Sequence, residues 1–248
     1  MNAIYILWLR QLKRYFRSRA RIIGSMGQPI MFLLAFGFGF KSLYQVSEGG
    51  NYIQFMAPGV MAMGILFLGA FNGIEMIWDR QFGFLKETFV APVSRLKIIF
   101  GRTLGGATVA LFQGLIVLLI CSLVGFRIQS FTQLPLALLF MFLIALFCSS
   151  LGAAIACVVE DLQGFPVIMN FIILPLFFFS NALFPIHSLP KALLTIIHIN
   201  PLSYGIDGLR GALTQSSHYS VALDLGVLSV AAISMLVIAS VLFSRIEL

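Results

Sequence analysis

Long apolar segments and short polar segments alternate along this chain, and the apolar ones are about as long as membrane-spanning helices. About 20 consecutive apolar residues are needed for a helix to cross the hydrocarbon core of a bilayer. Six segments qualify, at 22–40, 56–76, 103–125, 134–159, 165–184 and 225–243. The first, second and fifth contain Pro or Gly, which membrane helices tolerate better than soluble helices do. The pattern predicts an all-α integral membrane protein, with six transmembrane helices in one domain over residues 22–248.

The composition indicates a membrane environment rather than a soluble core. Of the 248 residues, 60% are hydrophobic and 10% are charged, and the mean hydropathy is +1.00. Soluble domains carry about 25% charged residues, and a core of this length cannot absorb so much apolar surface. The three cysteines, Cys121, Cys148 and Cys157, lie inside apolar segments. We expect them to pack as small residues, because an odd number buried in lipid is not a disulfide framework.

The basic residues orient the chain in the membrane. With the N-terminus in the cytoplasm, the inner segments hold twelve of the 16 Lys and Arg residues and the outer segments hold four. Loops rich in Lys and Arg stay on the cytoplasmic side. The distribution therefore predicts a protein of the cytoplasmic membrane with both termini in the cytoplasm. The net charge of +7 then indicates contacts with anionic headgroups rather than with nucleic acid.

An amphipathic helix is predicted at the N-terminus, within residues 1–21. Apolar residues recur there at three- and four-residue steps, and basic residues occupy much of the other face. The apolar set is Ile4, Leu7, Trp8, Leu12, Tyr15 and Phe16, and the basic set is Arg10, Lys13, Arg14 and Arg17. We expect this helix in the cytoplasmic interface of the membrane. Its pattern leaves two roles open, a contact with a cytoplasmic partner and a simple membrane anchor.

The segment at about 185–213 is too apolar for an exposed loop, although three prolines interrupt it. Because proline cannot continue a helix, the segment is predicted to form two short helices, at 189–199 and 203–213. Apolar pieces of 10–14 residues suit re-entrant segments better than spans. We expect both helices to dip into the outer leaflet beside the fifth span.

The inner connection at 76–102 concentrates charge, with seven of the 25 charged residues of the chain. Its first part, about 79–92, is predicted to be a short amphipathic helix. We expect this helix to begin at Asp79, since an acid suits the positive end of a helix dipole, and to end at Pro92. An apolar stripe runs along it, formed by Phe82, Leu85 and Phe89. An apolar stripe needs a surface to pack against, which would be either the membrane surface or a groove on another protein.

Polar side chains inside a span are costly and usually face the interior of the helix bundle. Five residues qualify, namely Asn72, Glu75, Gln113, Asn170 and Asn181. Glu75 is the only charged one, and we expect it to reach the inner interface. Pairs of small residues four apart are expected at close helix contacts. These pairs are Gly69 with Gly73 and Gly101 with Gly105.

The sequence contains no recognisable nucleotide-binding or catalytic motif. The GxxxxGK[ST] loop that cradles phosphates is absent, so ATP-driven work would need a separate subunit. His187, His198 and His218 lack the spacing of metal ligands on one helix. We therefore expect no catalytic residue, cofactor or metal in this chain, and we predict that it is not an enzyme.

Three stretches carry a resemblance to a known family. They are "FMAPGVMAMG" at the start of the second span, "DRQFGFLKETFVAPVSRLKIIFGR" after it, and "FFFSNALFPIHSLPKALLTIIHINPLSYGIDGLR" on the outer side. The three stretches occur in this order within the six predicted spans. On this basis nearly the whole chain resembles the membrane-spanning subunit of type-2 ABC exporters. That group includes daunorubicin-resistance and nodulation-type permeases. The "QFGFL" stretch departs from the family, which often has an acidic or polar residue there.

The resemblance implies a fold and a set of partners. Two copies of the permease, identical or closely homologous, would pair with two copies of a separate ATPase that holds ATP and Mg²⁺. The region at about 79–92 would be the coupling helix in a cleft of that ATPase, and the N-terminal helix would be a second contact. The coupling residues would be Asp79, Arg80, Phe82, Leu85, Lys86, Glu87 and Phe89.

The resemblance also implies export of a hydrophobic or amphiphilic substrate, which would be a drug, a lipid or a lipid-linked glycan. The two outer helices would close the exit side of the pathway. The residues that we expect along the pathway are Asn72, Asn170, Phe178 and Asn181.

Two other classes of function fit the sequence less well. An ion- or proton-coupled secondary transporter, the alternative function, would have charged residues at mid-membrane and inverted repeats, and we find neither. An intramembrane enzyme would need paired His or acidic residues in facing spans, and the sequence does not provide them.

Overall fold

The computed structural model describes residues 3–39, 52–84, 93–183 and 190–246, and within these ranges the regular structure is helical. The helices are α1 (Ala3–Arg17), α2 (Arg19–Gly39), α3 (Tyr52–Phe71), α4 (Ile74–Gln81), α5 (Arg95–Val124), α6 (Leu134–Val158), α7 (Gly164–Phe178), α8 (Lys191–Ile199), α9 (Pro201–Thr214) and α10 (Val221–Ser244). A single turn of 3₁₀-helix, Phe131–Gln133, precedes α6. The prediction of an all-α membrane fold is confirmed.

Local sequence signals begin and end several of these helices. The side chain of Asn200 accepts a hydrogen bond from the backbone N–H of Leu202 at 3.0 Å and caps the start of α9. Pro201 follows at the first helical position, where a missing N–H costs nothing. Helix α5 ends at Gly125, whose φ of 116° is a conformation that glycine adopts without strain.

Five helices in the described residues are long and apolar enough to cross a membrane, and α3 and α4 together count as one of them. The fifth predicted span, 165–184, differs from the others. Helix α7 has 15 residues and ends at Phe178, and Asn181 then turns the chain with a φ of 57°. Fifteen helical residues extend about 22 Å, which is less than the hydrocarbon thickness of about 30 Å. The count of six spans therefore stays a prediction.

Helix α6 lies at the centre of the bundle and packs against α3, α5 and α10. Close approach between α3 and α6 depends on glycine, because a Cβ atom on Gly152 would collide with the carbonyl oxygen of Ala70, and one on Gly73 with the carbonyl oxygen of Gly152. The Gly69 and Gly73 pair thus marks a close helix contact, as predicted. The three cysteines are free thiols buried in the bundle, which confirms that they pack as small residues.

The two short helices predicted between the fifth and sixth spans are present as α8 and α9. Helix α9 is buried along its whole length and packs on α6, α10 and α3. A Cβ atom on Gly208 would enter the ring of Phe140 in α6, so only glycine permits this packing. Their insertion into the outer leaflet stays a prediction. We call this end of the bundle the outer end and the opposite end the inner end, after the predicted topology.

Candidate functional site

The N-terminal helix packs lengthwise on α5. The indole N–H of Trp8 donates to the hydroxyl of Thr108 at 3.0 Å, and the hydroxyl of Tyr15 donates to Oε1 of Gln113 at 3.0 Å. Burial raises the pKa of Tyr15, so this hydroxyl keeps the proton that it donates. Another helix therefore covers much of the apolar face of α1, although Phe16 stays 53% exposed. The place of α1 in the membrane interface stays a prediction.

Glycine permits this close contact between α1 and α5. A Cβ atom on Gly101 would lie 3.0 Å from the carbonyl oxygen of Ile4, and one on Gly105 would lie 2.8 Å from Cβ of Gln11. The second predicted pair of small residues thus marks a close helix contact, and its partner is the N-terminal helix.

Asp79 lies near the end of α4, where it forms two ion pairs. It is 5% exposed, it is paired with Arg102 of α5, and its Oδ1 lies 3.2 Å from Nη2 of Arg10 in α1. The prediction that a short helix begins at Asp79 is wrong, because α4 runs Ile74–Gln81 and ends in a turn where Gly83 has a φ of 80°. An acid near the C-terminus of a helix opposes the helix dipole, and the two arginines compensate for that.

Glu75 lies one turn earlier on α4 and also has two arginine partners. It is 4% exposed, it is paired with Arg21 at the start of α2, and its Oε2 lies 3.4 Å from Nη1 of Arg14 in α1. The second guanidinium nitrogen of Arg21 donates to Oδ1 of Asn72 at 3.5 Å. Glu75 is thus inside the bundle, held by basic residues that come from the N-terminal 21 residues of the chain.

These residues form one group that we call the inner charge cluster. Its members are Arg10, Arg14, Arg21, Glu75, Asp79 and Arg102. It joins α1, α2 and α5 to α4 through two buried acids and the buried Arg102, while the side chains of Arg10 and Arg14 reach the surface. Removing one partner of a buried ion pair leaves an uncompensated charge and typically costs about 3–5 kcal/mol. A displacement of α4 therefore has to move these helices or break costly pairs.

The end of α4 has a second, more exposed attachment. Nη2 of Arg80 donates to Oε1 of Glu160 at 2.8 Å, and Nε2 of Gln81 donates to the carbonyl oxygen of Glu160 at 3.0 Å. The side chain of Glu160 is 74% exposed, so this contact is a surface ion pair. It links α4 to the turn between α6 and α7.

An aromatic surface follows directly on α4. Phe82 is 60% exposed, and its ring stacks on Trp78 at a centroid distance of 5.0 Å. Phe84 is 52% exposed. Exposed aromatic residues that are grouped in this way are typical of surfaces that contact a membrane or another protein. The other predicted coupling residues, Leu85, Lys86, Glu87 and Phe89, lie outside the residues that the structure describes.

A basic groove runs beside α1, with a volume of about 870 Å³. It is lined by Ile6, Leu9, Arg10, Lys13, Arg14, Arg17, Ser18, Asp79 and Phe84. The basic face of α1 predicted from the sequence is therefore its wall, and the aromatic surface after α4 borders it. Sequence periodicity identified that face but could not indicate that α4 lies opposite.

The four predicted pathway residues are not brought together. Asn170 and Phe178 are exposed on α7. Asn72 lies beside Arg21 at the inner end, and Asn181 is buried at the outer end, where its carbonyl oxygen accepts a hydrogen bond from Arg210 at 2.8 Å. Only the α7 pair therefore shares one exposed face.

Comparison with known proteins gives a consistent result. The family model described as "ABC-2 type transporter" matches residues 2–214. The putative transport permease ycf38 of Cyanophora paradoxa is 29% identical over 221 residues, which cover 88% of this chain and 76% of the relative. Nodulation protein J of Rhizobium leguminosarum bv. viciae is 25% identical over 97% of this chain and 91% of its own length. The inner membrane transport permease YadH of Escherichia coli (strain K12) is 24% identical over 98% of this chain and 95% of its own length.

Proposed function

The chain belongs to the ABC-2 type transporter family and is a membrane permease of an ABC transporter, and from this premise we propose that it exports its substrate. A separate ATPase chain binds ATP and Mg²⁺ and supplies the energy. The substrate is hydrophobic or amphiphilic, such as a drug, a lipid or a lipid-linked glycan. This permease itself carries out no chemical reaction.

The inner charge cluster is the observation that carries this proposal. A force applied by the ATPase just after α4 reaches α2 through Glu75 and Arg21, and reaches α5 through Asp79 and Arg102. The pair of Asp79 and Arg102 is buried on both sides, and Glu75 is buried beside the partly exposed Arg21, so both pairs resist separation more than surface pairs do. The cluster is therefore suited to convert a push at the inner end into a movement of spanning helices.

The region at about 79–92 is the proposed contact with the ATPase. Its described part offers Phe82 and Phe84 as exposed aromatic side chains, while Asp79 faces inward. We assign Phe82 and Arg80 to docking and Asp79 to transmission of the force. The basic groove beside α1 provides the second contact, which favours the partner role over the simple anchor.

The second copy of the permease is proposed to pack on α7. One face of this helix is exposed, with Phe171 at 82%, Val167 at 69% and Phe178 at 42%. Asn170 is exposed beside Phe171, and an amide facing lipid would be costly. A homodimer with two ATPase copies would place this amide against the partner or the substrate path.

The experiment uses the permease co-purified with the ATPase chain that binds it and reconstituted in liposomes. Phe82→Ala should weaken the complex and reduce transport by at least about tenfold, which corresponds to 1.4 kcal/mol of lost contact. Phe131→Ala is the matched control, because Phe131 is 72% exposed at the outer end and should have no effect.

Two outcomes would contradict the proposal. Transport of equal rate by the permease without its ATPase would exclude ATP-driven export. Transport that stops when the proton gradient is dissipated, with ATP still present, would favour the secondary transporter instead.

A further inference from the structure

The outer end of the bundle contains a buried arginine that ties several segments together. Nη2 of Arg210 in α9 donates to the carbonyl oxygen of Asn181 at 2.8 Å, and its Nε donates to the carbonyl oxygen of Phe55 at 3.3 Å. Its Nη1 lies 3.7 Å from Oδ1 of Asp207. Arg210 thus holds α9 against the start of α3 and the segment after α7.

Asp207 in turn holds the connection between α9 and α10. Its Oδ2 accepts hydrogen bonds from the backbone N–H groups of His218 at 2.7 Å and Tyr219 at 2.8 Å. Asp207 is 1% exposed. Both of its oxygens therefore have partners, and its negative charge is stabilised by donors on two sides.

Asp224, in the first turn of α10, has no such support. It is 0% exposed, and neither carboxyl oxygen has a hydrogen-bond partner among the described residues. The hydroxyl of Tyr219 is also buried and without a partner among them. Burial raises the pKa of Tyr219, and the neighbouring Tyr204, Asp207 and Asp224 raise it further. Two buried acids and a neutral phenol are therefore close together.

The charged groups around Asp224 do not compensate for a negative charge on it. On α9 the ionisable groups are Tyr204, Asp207 and Arg210, and Arg210 is already engaged with three other groups. The turn before α10 adds Tyr219 and His218, and α8 adds His198, whose ring lies 5.9 Å from that of Tyr219. The outer half of α6, residues 134–144, has no ionisable side chain, and that of α5, residues 115–124, has only the thiol of Cys121.

A metal ion does not fit this arrangement. Calcium and magnesium require about six or more oxygen ligands, whereas the oxygens of Asp207 already accept two N–H groups and face Arg210. That leaves the carboxyl group of Asp224 and the hydroxyl of Tyr219. A carboxyl group without donors and away from water is neutralised by binding a proton.

We propose that Asp224 is a proton-binding site of the outer end: it carries a proton while α9 and α10 are packed together, and it releases that proton to water when they separate. Separation breaks the O–H bond of the carboxyl group, and the proton passes to a water molecule of the medium on that side. Repacking requires the carboxylate to take up a proton again. An acidic outer medium therefore favours the closed packing of α9 on α10, and an alkaline one favours its opening.

The direct test is infrared spectroscopy on the purified permease in lipid nanodiscs at neutral pH. The carbonyl stretch of a protonated carboxylic acid should be present in the natural protein and lost in Asp224→Asn. Asp161→Asn is the control, because Asp161 is exposed and its substitution should leave the band unchanged. Absence of the band from the natural protein, or its persistence in Asp224→Asn, would overturn the proposal.

A second measurement follows the packing itself, and its decisive result comes from the natural protein. Hydrogen–deuterium exchange of the segment 215–224, corrected for the intrinsic rate, should accelerate as pH rises in the natural protein. In Asp224→Asn the corrected rate should not depend on pH. A pH-independent rate in the natural protein would contradict the proposal. Neither experiment includes the ATPase, so both outcomes are independent of the proposed export function.

Discussion

The two ends of this bundle differ in how many basic partners surround their buried acids. At the inner end, two carboxylates, Glu75 and Asp79, are paired with four arginines. At the outer end, Asp207 faces Arg210, whereas neither carboxyl oxygen of Asp224 has a hydrogen-bond partner among the described residues. Guanidinium groups therefore balance the charges of the inner acids, whereas a charge on Asp224 would be buried without a partner, which carries a large cost.

This difference suits two mechanical roles. Ionised pairs with several partners resist separation, which is appropriate where a force has to be transmitted between helices. An acid that is stable only when protonated makes the packing around it depend on contact with water, which is appropriate where a passage opens and closes. Helices α3 and α4, which run from Phe55 at the outer end to Asp79 at the inner end, connect the two regions.

The largest effect is expected on breaking the inner charge cluster at Arg102. Arg102→Met leaves Asp79 buried with only the partly exposed Arg10 as a partner, and should lower the free energy of unfolding by about 3–5 kcal/mol. Arg19→Met, at an exposed arginine, is the control. Both free energies of unfolding are measured by titrating the purified variants in mixed micelles with a denaturing detergent. A loss below about 1 kcal/mol would show that the cluster is not a rigid link.

A somewhat smaller effect is expected for Arg210→Gln at the outer end, about 2–3 kcal/mol. Asp207 loses its ion pair but retains two backbone N–H donors, so its charge stays partly stabilised. Arg127→Gln, at an exposed position of the outer end, should change little. If Arg210→Gln and Arg102→Met lowered the free energy of unfolding equally, the two ends would not differ in how strongly their ion pairs stabilise the bundle.

The same substitution should have different consequences at the two ends. Asp79→Asn removes the negative charge beside Arg102 but leaves an amide oxygen that can still accept a hydrogen bond from it, so it should cost less than Arg102→Met, about 2 kcal/mol at neutral pH. Asp224→Asn replaces a neutral carboxyl group by a neutral amide of similar shape and leaves no buried charge unpaired, so it should lower stability less than Asp79→Asn does, by about 1 kcal/mol or less. Thermal unfolding of both variants in one detergent compares them. Similar destabilisation by both would indicate that Asp224 is ionised.

The smallest effect is expected at the surface pair of Arg80 and Glu160. Glu160→Gln should reduce stability by less than about 1 kcal/mol, since the side chain of Glu160 is 74% exposed and water screens the pair. Added salt should reduce the difference further. A large effect that persists in high salt would mean that this pair belongs with the inner charge cluster.

Most helices were predictable from the sequence because their signals are local. Apolar segments long enough to span produced α2, α3, α5, α6 and α10, and the prolines of the outer segment separated α8 from α9. The wrong prediction of a helix that begins at Asp79 also has a cause in the local sequence. Aromatic residues continue at helical spacing through Phe82, although Gly83 with its φ of 80° interrupts the helix there.

The partners of the charged residues were not predictable. Arg10 and Asp79 are 69 residues apart, and Arg14 and Glu75 are 61 apart, so no periodicity connects them. The sequence placed Asp224 at the border of a loop, where an acid is normally hydrated, whereas packing of α9 and α10 removes it completely from water.

What the sequence by itself determined is the solvent and the helices: an apolar composition makes lipid the environment of this chain, and helical periodicity depends only on residues a few positions apart. What only the tertiary structure decided is which charges neutralise one another. Four arginines meet two acids at the inner end while Asp224 meets none at the outer end, because compensation of a buried charge depends on distances between residues that the chain separates widely.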